Sequence, residues 1–273
     1  MNVVIPSWMP PLFAVLFGAC IGSFLNVCIY RLPRGESVTW PGSRCTSCGR
    51  ALTWYDNIPI LSWVTLGGRC RTCKASVSAM YPIVEAVTAL AFLGGYLLYG
   101  LTLLALVRIL FACALIVLFV TDLQHKILPN RITLPGIVIG FVCSIFLPPG
   151  PRDSLIGIAV GGGVLYAIAE GYYRVRGEEG LGMGDVKLLA MIGAFLGWKL
   201  VLLTLVMASL SGSIIGVALI ASKRGNMKYA LPFGTFLAIG AVVSAAWGTP
   251  IVDWYFGFYQ RACRPTHCWR TRR

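Results

Sequence analysis

The chain has 273 residues, of which 57% are hydrophobic and only 12% charged, and its formal net charge is +13. Soluble domains carry roughly a quarter of charged residues, so this composition excludes an ordinary soluble enzyme and indicates a protein embedded in a lipid bilayer. The positive charge is explained by membrane topology, as the loops show below, and we expect no nucleic-acid partner.

Eight hydrophobic stretches predict an all-α polytopic membrane protein with about eight transmembrane helices. A spanning helix needs about 17–25 residues, and most of the stretches reach that length, although the sixth is short. They cover residues 12–30, 82–99, 102–121, 132–149, 154–173, 183–198, 199–221 and 232–249. We divide the chain into a first span (1–30), a polar loop (31–81), a membrane core (82–249) and a basic tail (250–273).

The charges also predict how the spans are oriented. No Lys or Arg precedes the first apolar stretch and no small-residue cleavage site follows it, so we expect a spanning helix with its N-terminus outside. The loops then assigned to the cytosol carry most of the Lys and Arg residues that precede the tail, as the positive-inside rule requires. The tail itself is basic but is expected outside, where Cys263 and Cys268 could form a small disulfide loop.

Loop 31–81 contains two CxxC pairs, formed by Cys45 with Cys48 and by Cys70 with Cys73. Four thiolates in this spacing are typical of a tetrahedral zinc site. Two disulfides or four free thiols are the alternatives, and a cytosolic location disfavours disulfides. We therefore expect a small cytosolic zinc-binding domain in which zinc is structural, because four protein ligands leave no position open for water.

Two of the five aspartates lie at the edges of hydrophobic stretches, where a carboxylate is a candidate functional group because its desolvation is costly. Asp122 ends an inward-running helix and Asp185 begins an outward-running one, so both are expected at the cytosolic face at similar depth. Each alone could be a solvated residue at a helix end. Together they can hold one water and share one proton, as in an aspartyl hydrolase.

Other hydrolytic chemistries find little support in the sequence. There is no HExxH motif, so an intramembrane zinc protease is not expected.

Helix dipoles favour negative charge at an N-terminus and disfavour it at a C-terminus. On that basis we expect Asp185 to be the resting base and Asp122 the protonated acid. We also expect Glu85 and Glu170, at about the same depth, to form an acidic rim for a basic substrate.

Several strings together resemble the type IV prepilin peptidases. The two aspartate motifs are TDLQHKILP (121–129) and GMGDVKL (182–188). The others are GSFLNV (22–27), YRLP (30–33), the paired CxxC, DNIP (56–59), SW (62–63) and YPIVE (81–85). The similarity covers about residues 12–240. One departure is Asn130, where the family often has Asp, and the tail after about residue 250 matches nothing in the family.

The resemblance implies an enzyme of the bacterial inner membrane that cuts the short basic leader from type IV prepilins or type II secretion pseudopilins on the cytosolic side. It implies that Asp122 and Asp185 are the peptidase aspartates. It also implies that loop 31–81 serves methylation of the new N-terminal residue from S-adenosylmethionine, for which Gly68 and Glu36 are the candidate binding residues. A peptidase without methylase activity and a non-catalytic zinc-knuckle scaffold for secretion or pilus assembly are the alternatives.

Overall fold

The computed structural model describes residues 6–177, 182–222 and 232–262. In these ranges the protein is helical and contains no β-strand, as the sequence predicts. The α-helices are α1 (Met9–Arg31), α2 (Leu61–Thr65), α3 (Met80–Tyr99), α4 (Leu103–His125), α5 (Asn130–Ser144), α6 (Pro151–Arg176), α7 (Met183–Ala221) and α8 (Phe233–Ala262). The loop between α1 and α3 adds two short 3-10 turns, Leu32–Arg34 and Trp54–Asn57.

Each predicted hydrophobic stretch corresponds to a helix, although the fourth reaches residue 149 while α5 ends at Ser144. The predicted count of eight spans is not confirmed. Within the described ranges, six helices are long and apolar enough to cross a membrane, namely α1, α3, α4, α6, α7 and α8. Helix α5 is shorter, with 15 residues. The sixth and seventh stretches form the single element α7, which is broken at Gly197 by a backbone conformation that is not helical (φ 79°, ψ 174°).

The break at Gly197 reverses the direction of α7. A Cβ atom built on Gly161 of α6 would lie 2.6 Å from the Leu189 carbonyl oxygen and 3.1 Å from the Val201 side chain. In a straight helix those two residues would be about 18 Å apart. Both can approach one point of α6 only if the parts of α7 before and after Gly197 run in opposite directions.

The break also explains the position of Arg108, a half-buried cation. Carbonyls at the end of a helix lack intrahelical partners. The guanidinium of Arg108, on α4, donates a hydrogen bond to the Phe195 carbonyl oxygen at 3.3 Å, two residues before the break. Arg108 therefore satisfies a backbone group that the reversal of α7 exposes.

Helix α4 joins two groups of helices through two of its faces. Phe111, Leu115 and Leu118 pack into a core built with α6, α7 and α8. Cys113 and Val117 pack into a second core with α1 and α3. Because α4 is shared, its last turn, which carries Asp122, lies where the two groups meet.

The C-terminal end of the chain departs from the expected division. Helix α8 continues through Pro250 to Ala262, past residue 249, where we expected the last span to end and the tail to begin. Cys263, His267 and Cys268, with the disulfide expected there, lie outside the described residues.

Candidate functional site

Asp122 occupies the last turn of α4 and is 5% exposed. Its Oδ2 accepts a hydrogen bond of 2.8 Å from the backbone N–H of Thr235, at the beginning of α8. The first N–H groups of a helix have no intrahelical acceptor, so the carboxylate of α4 caps α8. This bond joins residues 113 positions apart and fixes Asp122 against a third helix, which the sequence did not indicate.

The two aspartates converge on Gly234. A Cβ atom built on Gly234 would lie 2.9 Å from Asp122 Oδ2 and 3.1 Å from Asp185 Oδ1. Two oxygens at 2.9 and 3.1 Å from one point can be no more than about 6.0 Å apart. The structure therefore brings the two carboxylates together, close enough to share a water molecule, and it places a glycine where a side chain would intrude.

Asp185 begins the first part of α7, where its own N–H donates to the Gly182 carbonyl oxygen at 3.0 Å. The two glycines before it have separate roles. Gly182 lies beside the carboxylate, since a Cβ there would be 3.6 Å from Asp185 Oδ2. Gly184 packs against Leu128, whose Cβ would be only 3.1 Å from an added Cβ. The two aspartate motifs therefore pack directly on each other.

A hydrogen bond adds a second link between the motifs. Lys187 Nζ donates to Asn130 Oδ1 at 3.0 Å, joining the first part of α7 to the start of α5. The departure from the family pattern at Asn130 thus leaves a residue whose amide oxygen accepts from the lysine two positions after Asp185.

The acidic rim expected from Glu85 and Glu170 is wrong for Glu85, whereas the place of Glu170 on a rim stays a prediction. Glu85 is 7% exposed, and its Oε2 accepts a hydrogen bond of 2.7 Å from the Ile60 backbone N–H. It attaches the polar loop to α3 at a residue with positive φ (62°). Glu170 forms an ion pair of 2.8 Å with Arg174, one turn along α6. Both carboxylates already have partners within the protein.

The four loop cysteines form one cluster that can bind a metal ion. The Sγ atoms of Cys45, Cys48, Cys70 and Cys73 all lie within 4.8 Å of one another, and the Cys45 and Cys73 sulfurs are 3.8 Å apart. A tetrahedral ion with Zn–S bonds of about 2.3 Å requires sulfurs about 3.8 Å apart. The donor set and its spacing therefore fit zinc.

The two CxxC pairs have the same local structure. In the first, the Cys45 N–H donates to the Arg50 carbonyl oxygen, and in the second the Cys70 N–H donates to that of Ala75. Each turn needs a positive φ after its second cysteine, and Gly49 and Lys74 supply it. Two equivalent turns facing each other are what brings four sulfurs to one point.

The surroundings of the cluster shift the pKa values of two of its thiols in opposite directions. Backbone N–H groups of Cys48 and Ser47 lower the pKa of the Cys45 thiol to about 6. The Ala75 N–H alone would lower the pKa of Cys73, but burial and the neighbouring thiols raise it to about 11. A cation bound among the thiols would favour the ionised form of these ligands.

Asp56 holds the two turns together. Its side chain, 4% exposed, accepts from Arg71 Nε at 2.9 Å and lies 3.5 Å from Arg50 Nη2. Burial alone would raise the pKa of Asp56, but hydrogen bonds from Arg71 and Thr53 hold it below its usual value. Arg71 lies inside the second CxxC and Arg50 just after the first, so this carboxylate bridges both. In the sequence, Asp56 stands out only as part of the DNIP motif that resembles the family.

The contacts of the two residues expected to bind S-adenosylmethionine do not by themselves indicate a ligand site. Gly68 has a positive φ (66°) and packs on the Trp63 ring, which would be 2.9 Å from an added Cβ. This packing explains the glycine without a ligand. Glu36 is exposed, just after α1, where its N–H donates to the Arg31 carbonyl oxygen at 3.1 Å.

Two family models match the chain. One, described as the Bacterial Peptidase A24 N-terminal domain, covers residues 16–99, and the other, described as the Type IV leader peptidase family, covers residues 109–217. The first contains most of α1, the cysteine loop and α3. The second contains both aspartates. No solved structure matches the chain.

Several curated relatives are named prepilin leader peptidase/N-methyltransferase. The protein from Pseudomonas aeruginosa is 34% identical over 90% of this chain and 93% of its own length. That from Myxococcus xanthus is 40% identical over 82% of this chain and 68% of its own. That from Pseudomonas putida is 36% identical over 87% of this chain and 91% of its own. With these matches along most of its length, and with both aspartates in the matched region, the chain belongs to the type IV leader peptidase family.

Proposed function

We propose that the protein removes the leader peptide of type IV prepilins or type II secretion pseudopilins by an aspartate-pair mechanism, and then methylates the new N-terminus. The observation that carries the peptidase assignment is the convergence of Asp122 and Asp185 on Gly234, within about 6.0 Å of each other. Family membership and the names of the relatives support the choice of substrate.

The aspartate pair activates one water molecule. The ionised carboxylate takes a proton from the water as its oxygen bonds to the scissile carbonyl carbon, while the other carboxyl gives its proton to the carbonyl oxygen. The resulting tetrahedral diol collapses with cleavage of the C–N bond. The leaving amine takes the proton that came from the water, and the diol returns a proton to the second carboxyl.

The hydrogen bonds of the site favour the opposite assignment of base and acid to the one expected from helix dipoles. A backbone N–H can only donate, and it is matched best by an ionised carboxylate. Asp122 receives such a bond from Thr235, at the N-terminus of α8. We therefore assign the base to Asp122 and the shared proton to Asp185. This assignment differs from the earlier expectation because it also takes into account the N-terminus of α8, which packs against Asp122.

The proposed location is the bacterial inner membrane, with the dyad near the cytosolic face. The charge distribution along the loops supports this orientation. Cleavage there separates a basic leader, which stays in water, from the membrane-inserted remainder of the substrate.

For the second reaction we propose that the loop over residues 31–81 carries the methyltransferase function. The four cysteines would hold a structural zinc ion that fixes the two CxxC turns, and S-adenosylmethionine would supply the methyl group. Glu36 and Gly68 remain our candidates for contact with this cosubstrate. The support is the cysteine geometry and the methyltransferase part of the relatives' names.

The test uses the purified full-length protein with a prepilin, with and without S-adenosylmethionine, and mass spectrometry of the products. We expect loss of the leader, and one added methyl group only when S-adenosylmethionine is present. Asp122→Asn and Asp185→Asn should each lower cleavage by about 10⁴-fold or more, since each removes a group that the chemistry needs. Asp253→Asn, an exposed aspartate of α8, is the matched control and should leave cleavage unchanged.

Three results would contradict parts of this proposal. Normal cleavage by either asparagine variant rejects the aspartate pair. Cleavage without any methylation leaves a peptidase alone. A folded, membrane-inserted wild-type protein that cuts no prepilin favours the non-catalytic scaffold.

A further inference from the structure

An open groove of about 390 Å³ lies between α6, α7 and α8. Its walls are mostly apolar, with Leu165 and Ile168 from α6, Leu205 from α7, and Phe233 and Phe236 from α8. We call it the α6–α8 groove. None of its lining residues takes part in the chemistry proposed for the dyad.

The α6–α8 groove adjoins the dyad. Phe233 immediately precedes Gly234, on which both carboxylates converge. Phe236 immediately follows Thr235, whose N–H donates to Asp122. Both rings therefore belong to the turn of α8 that contacts the two carboxylates.

The α7 wall of the groove is built from small side chains. Gly212 and Ser213 follow Ser209 by three and four residues, and all three line the groove from the second part of α7. Small residues in this spacing allow a second helix to approach closely within a membrane. At Gly212 an added Cβ would make only ordinary contact, 3.6 Å from the Phe236 ring. The wall from Leu205 to Ser213 extends for about 12 Å, or roughly two helical turns.

We propose that the α6–α8 groove is the binding site for the apolar helical segment that follows the scissile bond of the substrate. This proposal rests on the proposed peptidase function. A substrate cut at a membrane-embedded dyad must present an apolar segment on one side of the bond, and this groove is apolar, helix-sized and adjacent to the dyad. The groove then selects substrates by the bulk of the first two turns after the cleavage site.

The first test narrows the groove. Gly212→Leu and Ser209→Leu place new side chains in it, whereas Gly163→Leu places the same side chain on α6 at a position with no neighbour within 4 Å. With a full-length prepilin, we expect each groove variant to raise KM about tenfold or more and to change kcat less, because uniform binding is lost. Gly163→Leu should match the wild type.

A shortened substrate sharpens this test. A peptide that ends a few residues after the scissile bond cannot fill the groove, so the wild type and the groove variants should cut it equally slowly. If the wild type cuts neither substrate, the proposed function itself fails. If the wild type cuts and both groove variants cut the full-length prepilin as efficiently, the groove assignment alone is overturned.

The second test identifies the occupant of the groove directly and does not depend on the catalytic activity of the groove variants. A photo-crosslinking amino acid at Ser213, combined with Asp185→Asn to retain the substrate, should crosslink to the segment after the scissile bond. Crosslinks only to the leader, only to lipid or only within the protein would each overturn the proposal. The same probe at position 163 measures the background from the bilayer.

Discussion

Gly234 occupies the point between the two carboxylates where any side chain would intrude. Its neighbours there are Asp122, from α4, and Asp185, from α7. The sequence does not indicate a role for this glycine, because no local pattern around residue 234 predicts contact with an aspartate 112 residues earlier. The only sequence signal was a glycine at the start of a hydrophobic stretch, and many helices begin in that way.

We predict that Gly234→Ala inactivates the peptidase without unfolding the protein. The added Cβ would lie 2.9 Å from Asp122 Oδ2 and 3.1 Å from Asp185 Oδ1, so the carboxylates must move apart. A displacement of reacting groups by about 1 Å can cost about 10²-fold in rate. Cleavage of prepilin should fall by about that factor, while the melting temperature in detergent stays close to that of the wild type.

The control for this prediction is Gly171→Ala, where an added Cβ would have no neighbour within 4 Å. It should retain full activity. A Gly234→Ala variant that cuts prepilin at the wild-type rate would mean that the space between the carboxylates is not used.

At the scale of elements, the close crossing of α6 and α7 sets the position of Asp185. A Cβ built on Gly193 would overlap the Gly157 carbonyl oxygen, so the two backbones are in direct contact. Glycines four residues apart, as in Gly157/Gly161 and Gly193/Gly197, allow close packing of this kind. They did not predict which helices pair, because the pairing depends on the reversal of α7 at Gly197.

We predict that Gly193→Val destabilises the protein by about 3 kcal/mol or more, because its side chain would overlap backbone atoms that cannot rotate away. The measurement is the melting temperature of the purified protein in detergent. Gly163→Ala, on an open side of α6, should melt at or slightly above the wild-type temperature, since alanine favours helix. Equal melting of Gly193→Val and the wild type would show that the crossing is looser than described.

At the scale of the whole molecule, the cysteine loop and the dyad are separate structures joined through α1, α3 and α4. The four thiols are held by their own two turns and by Asp56. The dyad is held by α4, α7 and α8. The hydrogen bond from the Ile60 N–H to Glu85 connects the loop to the membrane helices.

This separation predicts that the two reactions can be uncoupled. Cys45→Ser should lower the bound zinc from about one ion per chain, measured by elemental mass spectrometry, and should abolish methylation, because the CxxC turns lose the ion that joins them. Cleavage should continue, since the dyad does not contact the cluster. Cys20→Ser, at an exposed position of α1, should change neither activity. Wild-type zinc content in Cys45→Ser would contradict a four-thiolate site.

The sequence alone determined the helical membrane class, the cysteine quartet and the family resemblance, because hydropathy and CxxC spacing are local patterns. It also picked out Asp122 and Asp185, since a charge beside an apolar stretch is rare. Only the tertiary structure showed that these two aspartates converge on Gly234, that Asp122 caps α8 and that Glu85 is not on a rim. Those facts depend on which helices pack together, and helix pairing is decided by contacts between residues far apart in the chain.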